Sequence, residues 1–284
     1  MMNMKRQLRI GMITMCIVFA AGITALYAQQ PEKKEGWSLS AQTYTFNRFS
    51  FFEAVDKALE AGLNNIEAYP GQRLGGGMEG TMDYKMDAAQ RKAILRALKK
   101  KKVKMRAFGV VKANTEEEWN QIFAFAKAMG VDVINAEPDE KLMPLIGQLA
   151  NRYKIKLGIH NHAQPSHYWD PNVVLAAVAK ANSPYVGGCA DVGHWVRSGL
   201  NPVECLKQLE GHLVSLHFKD LSEKSPKAHD VHWGTGVCDV EGLIAELKRQ
   251  GFKGNLSAEY EYNWEDNVGD VKESVQNFRA ILTQ

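Results

Sequence analysis

Very little in this 284-residue chain is held by sulfur or carried by excess charge. Of four cysteines, Cys16 lies in an apolar N-terminal segment. Cys189, Cys205 and Cys238 remain, too few and too widely spaced for a disulfide framework or a zinc finger. The formal net charge is +3, and Lys5, Arg6 and Arg9 supply all of it, because residues 1–28 contain no acid. From residue 29 onward the chain is neutral, which excludes the basic footprint of a nucleic-acid binder. The one dense cationic run, Lys99 to Lys104, closes an amphipathic segment, where cations suit the negative end of a helix dipole. No strand runs through a Walker-type or GxGxxG loop into a helix, which removes the usual nucleotide cradle. No second domain and no low-complexity linker are present beyond the short QQPEKKEG stretch.

What the N-terminus does contain is a basic flank, an apolar run from Ile10 to Leu26, and small residues before Gln29. That is the layout of a secretory signal peptide cleaved after Ala28. The expectation is an exported protein, periplasmic or secreted, with no membrane attachment once the leader is removed. Residues 1–28 would be leader, 29–36 a short linker and 37–284 the folded domain. About 256 residues are ample for one core and close to the usual length of an eightfold β/α barrel.

From Trp37 the chain alternates short apolar runs with helical-period segments. The strand candidates are WSLSAQTYTF, NNIEAY, VKMRAF, VDVINA, KIKLGIH, YVGGCAD, HLVSLHF and GNLSAEY, with helix candidates such as SFFEAVDKALEAG and TEEEWNQIFAFAKAMG between them. Eight strands, each followed by a helix, predict a single (β/α)8 TIM barrel of class α/β. In such barrels chemistry collects at the C-terminal ends of the strands.

Those ends carry Glu67, Glu137, His160 and His162, Asp191 and His194, His217, Lys219 and Asp220, then Glu259 and Glu261. His232 follows in the HDVHWGTG loop. All eight histidines lie between His160 and His232. Imidazoles and carboxylates converging on one barrel mouth are what a divalent ion requires: mixed nitrogen and oxygen ligands with room for substrate oxygens. Singly, each has a plainer reading, as a hydrogen-bonded strand-end histidine or a helix-capping aspartate. Four such elements on consecutive strands make a shared site the better account.

The motifs IHNHA, DVGHWVRSG, HFKD, HWGTG and GNLSAEYE closely resemble the sugar phosphate isomerase/epimerase group of xylose-isomerase-like TIM barrels. That group takes in D-tagatose 3-epimerase, lyases acting on 3-keto-glycosides and, distantly, endonuclease IV. The resemblance spans essentially the whole chain after the leader. It implies a metal (Mn²⁺, Zn²⁺, Co²⁺ or Mg²⁺) held by His160, Asp191, His217 and Glu259, with His194 on substrate oxygens and His232 approaching the site. His162, Lys219 and Glu67 are further candidates for substrate contact. One position departs from the group: His160 stands where the epimerases carry a glutamate, with Glu137 as the substitute ligand.

The implied activity is enolisation of a keto-sugar, with Glu259 as base and His160 or His194 as the opposed acid. Isomerisation or epimerisation is the leading reading. β-Elimination or hydration of a 3-keto-glycoside uses the same enolate, and the loss of one glutamate together with export favours it. A non-catalytic sugar-binding barrel is the third reading. The partner in every case is a small carbohydrate. The loop YPGQRLGGGMEGTMDY reads as a mobile lid or rim, and Trp169, Trp195, Trp233 and Trp264 as candidates to stack on sugar rings. The sugar, the metal and the oligomeric state stay open.

Overall fold

In the computed structural model, which describes residues 30–284, eight parallel strands close into a barrel. They are β1 (Ser38–Gln42), β2 (Asn65–Ala68), β5 (Lys104–Val111), β6 (Val133–Ala136), β7 (Lys156–His160), β8 (Val186–Asp191), β9 (Leu213–Phe218) and β10 (Asn255–Ala258). Strand β1 closes the ring by pairing with both β2 and β10. All eight expected strands are present. The proposed leader lies outside the described residues.

Helices α1 (Phe51–Glu60), α2 (Ala88–Lys101), α3 (Glu116–Met129), α4 (Met143–Tyr153) and α5 (Pro171–Ala181) return the chain after the first strands. Then come α6 (Val192–Arg197), α7 (Pro202–Gln208), α8 (Val240–Arg249) and α9 (Val268–Leu282). Their starts are written locally. Ser50 with Glu53, and Asp87 with Gln90, form reciprocal capping boxes that satisfy otherwise orphaned N–H groups. Gly130 ends α3 with φ 68°, as the terminal glycine predicts. Lys102, Lys154 and Asn182 take the same left-handed conformation without being glycine.

Two departures from the regular pattern matter at the mouth. The glycine-rich stretch after β2 is folded into a β-hairpin, β3 (Arg73–Gly75) with β4 (Met78–Thr81), rather than a featureless loop. Gly75 needs its glycine twice over: its φ is 70°, and a Cβ would lie 2.3 Å from Ser50 Oγ at the cap of α1. The connection from β8 to β9 holds two short helices instead of one. Residues 31–36, expected as a linker, are docked: Pro31–Lys33 form a 3₁₀ turn whose buried Glu32 meets Arg279 of α9 at 2.8 Å.

The barrel interior is polar beneath the mouth. Ser40 donates to Asn255 (2.5 Å), Asn255 to Ser257 (2.8 Å), and Ser257 to Glu67 (2.6 Å). Asn135 donates to the other Glu67 oxygen (2.9 Å) and accepts from Ser215 (2.6 Å). A buried polar column of this kind is tolerable only because its members find partners.

Candidate metal centre at the barrel mouth

Strand register brings the predicted ligands together. Asp191, the last residue of β8, pairs directly with His217 of β9. His160 ends β7, and Glu259 follows the last residue of β10. One ligand atom from each of His160, Asp191, His217 and Glu259 falls within 4.8 Å of the others, and all four side chains are buried. This is the set of four that the sequence nominated.

Each side chain is held by one atom and offers another. Asp191 Oδ1 caps α6 by accepting from the His194 N–H at 2.8 Å, while Oδ2 is buried with no hydrogen-bond partner. One carboxylate can therefore cap the helix and still offer an oxygen to a ligand. Asn161 fixes the Asp191 backbone reciprocally, donating to its carbonyl at 3.0 Å and accepting from its N–H at 2.8 Å. His217 Nε2 meets Glu67 Oε1 at 3.0 Å, leaving Nδ1 in the cluster, 2.9 Å from Glu259 Oε2. His160 Nδ1 meets Glu137 Oε1 at 3.3 Å, leaving Nε2 toward Asp191 at 3.6 Å. His160 Nε2, His217 Nδ1 and Asp191 Oδ2 are thus three buried polar atoms that converge within the cluster, none in a well-aligned hydrogen bond, although His217 Nδ1 lies near Glu259 and Asp191 Oδ2 near Lys219. Buried polar groups are rarely left so, and imidazoles held by a carboxylate on the far nitrogen are the usual form of histidine metal ligands. The residues fit a divalent ion.

Lys219 supplies the compensating charge. Fully buried, it lies 2.8 Å from Glu259, 2.7 Å from Glu261 and 3.4 Å from Asp191. Gly193 allows its approach, since a Cβ there would stand 3.0 Å from the lysine stem. Burial alone would raise the Glu259 carboxyl, but Lys219 and His217 hold it well below the usual range. Asp191 is likewise kept low against its burial, by His194 and Lys219. For Glu137, burial is outweighed by hydrogen bonds to His160 and His162, which lower it. Burial, reinforced by Lys219 and His160 and only partly opposed by Asp191, pushes His194 down to about 4, so it is neutral at pH 7.

A cavity of about 280 Å³ opens over the cluster, lined by His160, His162, His194, Glu259 and Glu261 and, across from them, by Tyr44, Tyr69 and Lys112. A larger hollow of about 560 Å³ lies at the opposite end, among Arg106, Lys127, Lys154, Lys156 and Lys253. It holds no carboxylate–imidazole cluster and sits at the N-terminal face, where barrel residues serve stability.

Three expected substrate contacts lie elsewhere. Glu67 is buried under His217 and committed to Asn135, Ser257 and that ring. Lys219 is buried among carboxylates and does not line the cavity. His232 turns to α9, 2.9 Å from Asp270 and 3.1 Å from Glu273. His160 lines the cavity too, but with Nδ1 on Glu137 and Nε2 turned into the ligand cluster it is poorly placed to act as the acid; His162 and His194 line the cavity as expected. Trp195 and Trp233 are core residues, 0% and 1% exposed. Tyr44 and Tyr69, which carry no motif, are the aromatics on the cavity wall. Glu137 lies outside the set of four as the partner of His160 and His162, and forms with them a second, overlapping group.

Comparison with known proteins agrees with the barrel fold. Residues 55–281 match the family model of the xylose isomerase-like TIM barrel. A solved protein of uncharacterised function from Parabacteroides distasonis ATCC 8503 is 33% identical over 85% of this chain and 97% of its own, with a TM-score of 0.70. Two structures share the fold at 16% identity and a TM-score of 0.66. The probable 3-DHS dehydratase AsbF from Bacillus anthracis covers 87% of this chain and 99% of its own. A D-tagatose 3-epimerase-like protein covers 87% and 98%. No curated protein matches.

Proposed function

The chain belongs to the xylose isomerase-like TIM barrel family, and from that premise we propose that it is a divalent-metal-dependent enzyme that enolises a keto-sugar. The observation that carries this reading is the convergence of one ligand atom each from His160, Asp191, His217 and Glu259, all buried at the mouth. His160, Asp191, His217 and Glu259 would hold the ion, which would supply Lewis-acid stabilisation of developing negative charge on a substrate carbonyl. Mn²⁺, Zn²⁺, Co²⁺ and Mg²⁺ all suit mixed nitrogen and oxygen donors to differing degrees.

Glu259 is the base. Held ionised by Lys219, it lines the cavity and can take the proton α to the carbonyl. His194, neutral at pH 7 and on the same cavity wall, is the group to exchange a proton or hydrogen bond with a substrate hydroxyl. His162, about half exposed and beside Glu137, contacts the sugar from the strand β7 side. Enediolate formation followed by reprotonation on the neighbouring carbon or the opposite face gives isomerisation or epimerisation. A second reading, β-elimination from a 3-keto-glycoside, is favoured by His160 itself. Elimination needs one base, and the His160 ring, with Nδ1 on Glu137 and Nε2 turned into the ligand cluster, cannot serve as the second. Export of the enzyme, from the leader layout of residues 1–28, suits either reaction on an unphosphorylated sugar.

The test is incubation of the purified protein in D₂O with simple ketoses and with 3-keto-glucosides, with Mn²⁺ and after chelation. Metal-dependent deuterium uptake α to the carbonyl is expected. No uptake and no turnover on any of these substrates with any of the four metals would sink the proposal.

A further inference from the structure

We propose that the mouth carries a second subsite, an aromatic wall of Tyr44, Tyr69 and Trp264 that receives the group attached to the reacting sugar, so that the substrate class is a glycoside rather than a free monosaccharide. The inference rests on the enolising site proposed above and concerns what lies beside it. Among the described residues, the exposed large hydrophobic side chains are Tyr44 (39%) and Tyr262 (49%). Both follow the C-terminal ends of neighbouring strands, β1 and β10, at the mouth. Tyr44 and Tyr69 line the same cavity as Glu259 and His194. The Tyr44 ring is 5.2 Å from Tyr69 and 5.8 Å from Trp264, each nearly perpendicular at 83°. The three rings make an angular apolar surface that runs from the cavity outward.

The surface is preformed. Thr45, next to Tyr44, donates to the Ala258 carbonyl at 3.3 Å and accepts from Tyr260 N–H at 2.9 Å. Asn267 donates to the Thr45 carbonyl at 2.8 Å, and Arg48 meets Glu265 at 3.7 Å. Four links therefore join the segment after β1 to the end of β10 and the segment that follows it, and the wall cannot fold away without breaking them. Rigid aromatic side chains bind at low entropic cost, and they offer flat faces to the C–H face of a pyranose or to an aromatic aglycone.

Size decides between one ring and two. A cavity of about 280 Å³ lies at the lower edge of the ordinary range for small-molecule sites, about 300–1,000 Å³. It suits one sugar ring, and whatever is attached to that ring must lie on the rim. A separate groove of about 840 Å³ lies beside Glu137, lined by Pro138, Pro144 and Tyr168 and crossed by the ion-paired Glu140, His167 and Lys180. Covering those charges with a neutral group would cost desolvation, so the aromatic side is the favourable exit.

The experiment measures calorimetric dissociation constants of phenyl β-D-glucoside, cellobiose and methyl β-D-glucoside, none of which carries the reactive ketone. Wild type should bind the first two at least tenfold more tightly than the methyl glucoside. Trp264→Ala, outside the cavity lining, should reduce that gap below threefold while leaving the methyl glucoside within twofold, and Tyr44→Ala should reduce the gap as well. Tyr44→Phe and His167→Ala should keep the gap. Equal affinities, no measurable binding of phenyl glucoside, a gap that survives in both alanine variants, or its loss in His167→Ala would overturn the subsite. The D₂O exchange assay separates the two proposals. Exchange without a gap removes the subsite alone, and a gap without exchange removes the enolising reading and leaves the subsite standing.

Discussion

Replacing Glu259 by Gln tests the chemistry at one atom. The substitution keeps the shape and removes the charge that would both hold the ion and accept the proton. Its structural cost is bounded. Lys219 loses the charge of one partner at 2.8 Å but keeps Glu261 at 2.7 Å and Asp191 at 3.4 Å, so no buried ammonium is left unpaired. A hydrogen bond to a charged group contributes about 1.5–3 kcal/mol, and the amide oxygen can still accept from Lys219. The loss should be about 1–2 kcal/mol, inside the roughly 5–15 kcal/mol stability of a domain. Turnover has no such cushion. A positioned general base is worth about 10²–10⁴-fold, and no other cavity carboxylate is free, because Glu261 is tied to Lys219 and Arg197. The assay is kcat/KM and α-deuterium incorporation, alongside thermal unfolding and metal content. A folded Glu259→Gln protein with turnover within about threefold of wild type would remove Glu259 from the mechanism. An unfolded one would refute the charge argument for Lys219.

Glu137→Gln should weaken metal affinity by about 10–100-fold through His160, read by competition with a chromophoric chelator; an unchanged affinity would show that Glu137 does not position that ring. His194 gives a pH signature. Its pKa falls from 6.5 unfolded to about 4 folded, so the unfolded state binds more protons between those values. Stability is full above pH 6.5 and is lost as pH falls toward 4, by about 3 kcal/mol at 1.36 kcal/mol per unit. In denaturant titrations across this window, His194→Gln should flatten the slope. Glu32→Ala strands Arg279 in a half-buried site and should cost about 3 kcal/mol or more, seen as a fall in Tm; no change would make the docked N-terminal turn energetically idle. N-terminal sequencing of protein from its native host should begin near Gln29, and an intact Met1 on cytosolic protein would exclude export.

The barrel was legible because its period is local. Each strand is a short apolar run and each helix carries its cap in sequence, as at Ser50–Glu53 and Asp87–Gln90. His160, Asp191, His217 and Glu259 were legible for a related reason: parallel strands of similar length end on one rim, so strand-end residues must converge. Linear sequence could not assign the second atom of each side chain. Whether Asp191 capped α6 or faced a metal looked like a choice, and the fold caps the helix with one oxygen and leaves the other turned into the cluster. Glu67 and Lys219 also end strands, yet one lies beneath His217 and the other among three carboxylates. Which neighbour a rim residue meets depends on strand register and barrel tilt, and these arise only when the ring closes. The same closure laces β1 to β10 and stands Tyr44 beside Trp264, 220 positions apart in the chain. Residue chemistry and spacing determined the barrel and the cluster of four at its mouth; tertiary packing decided which groups are free to act and what surrounds them.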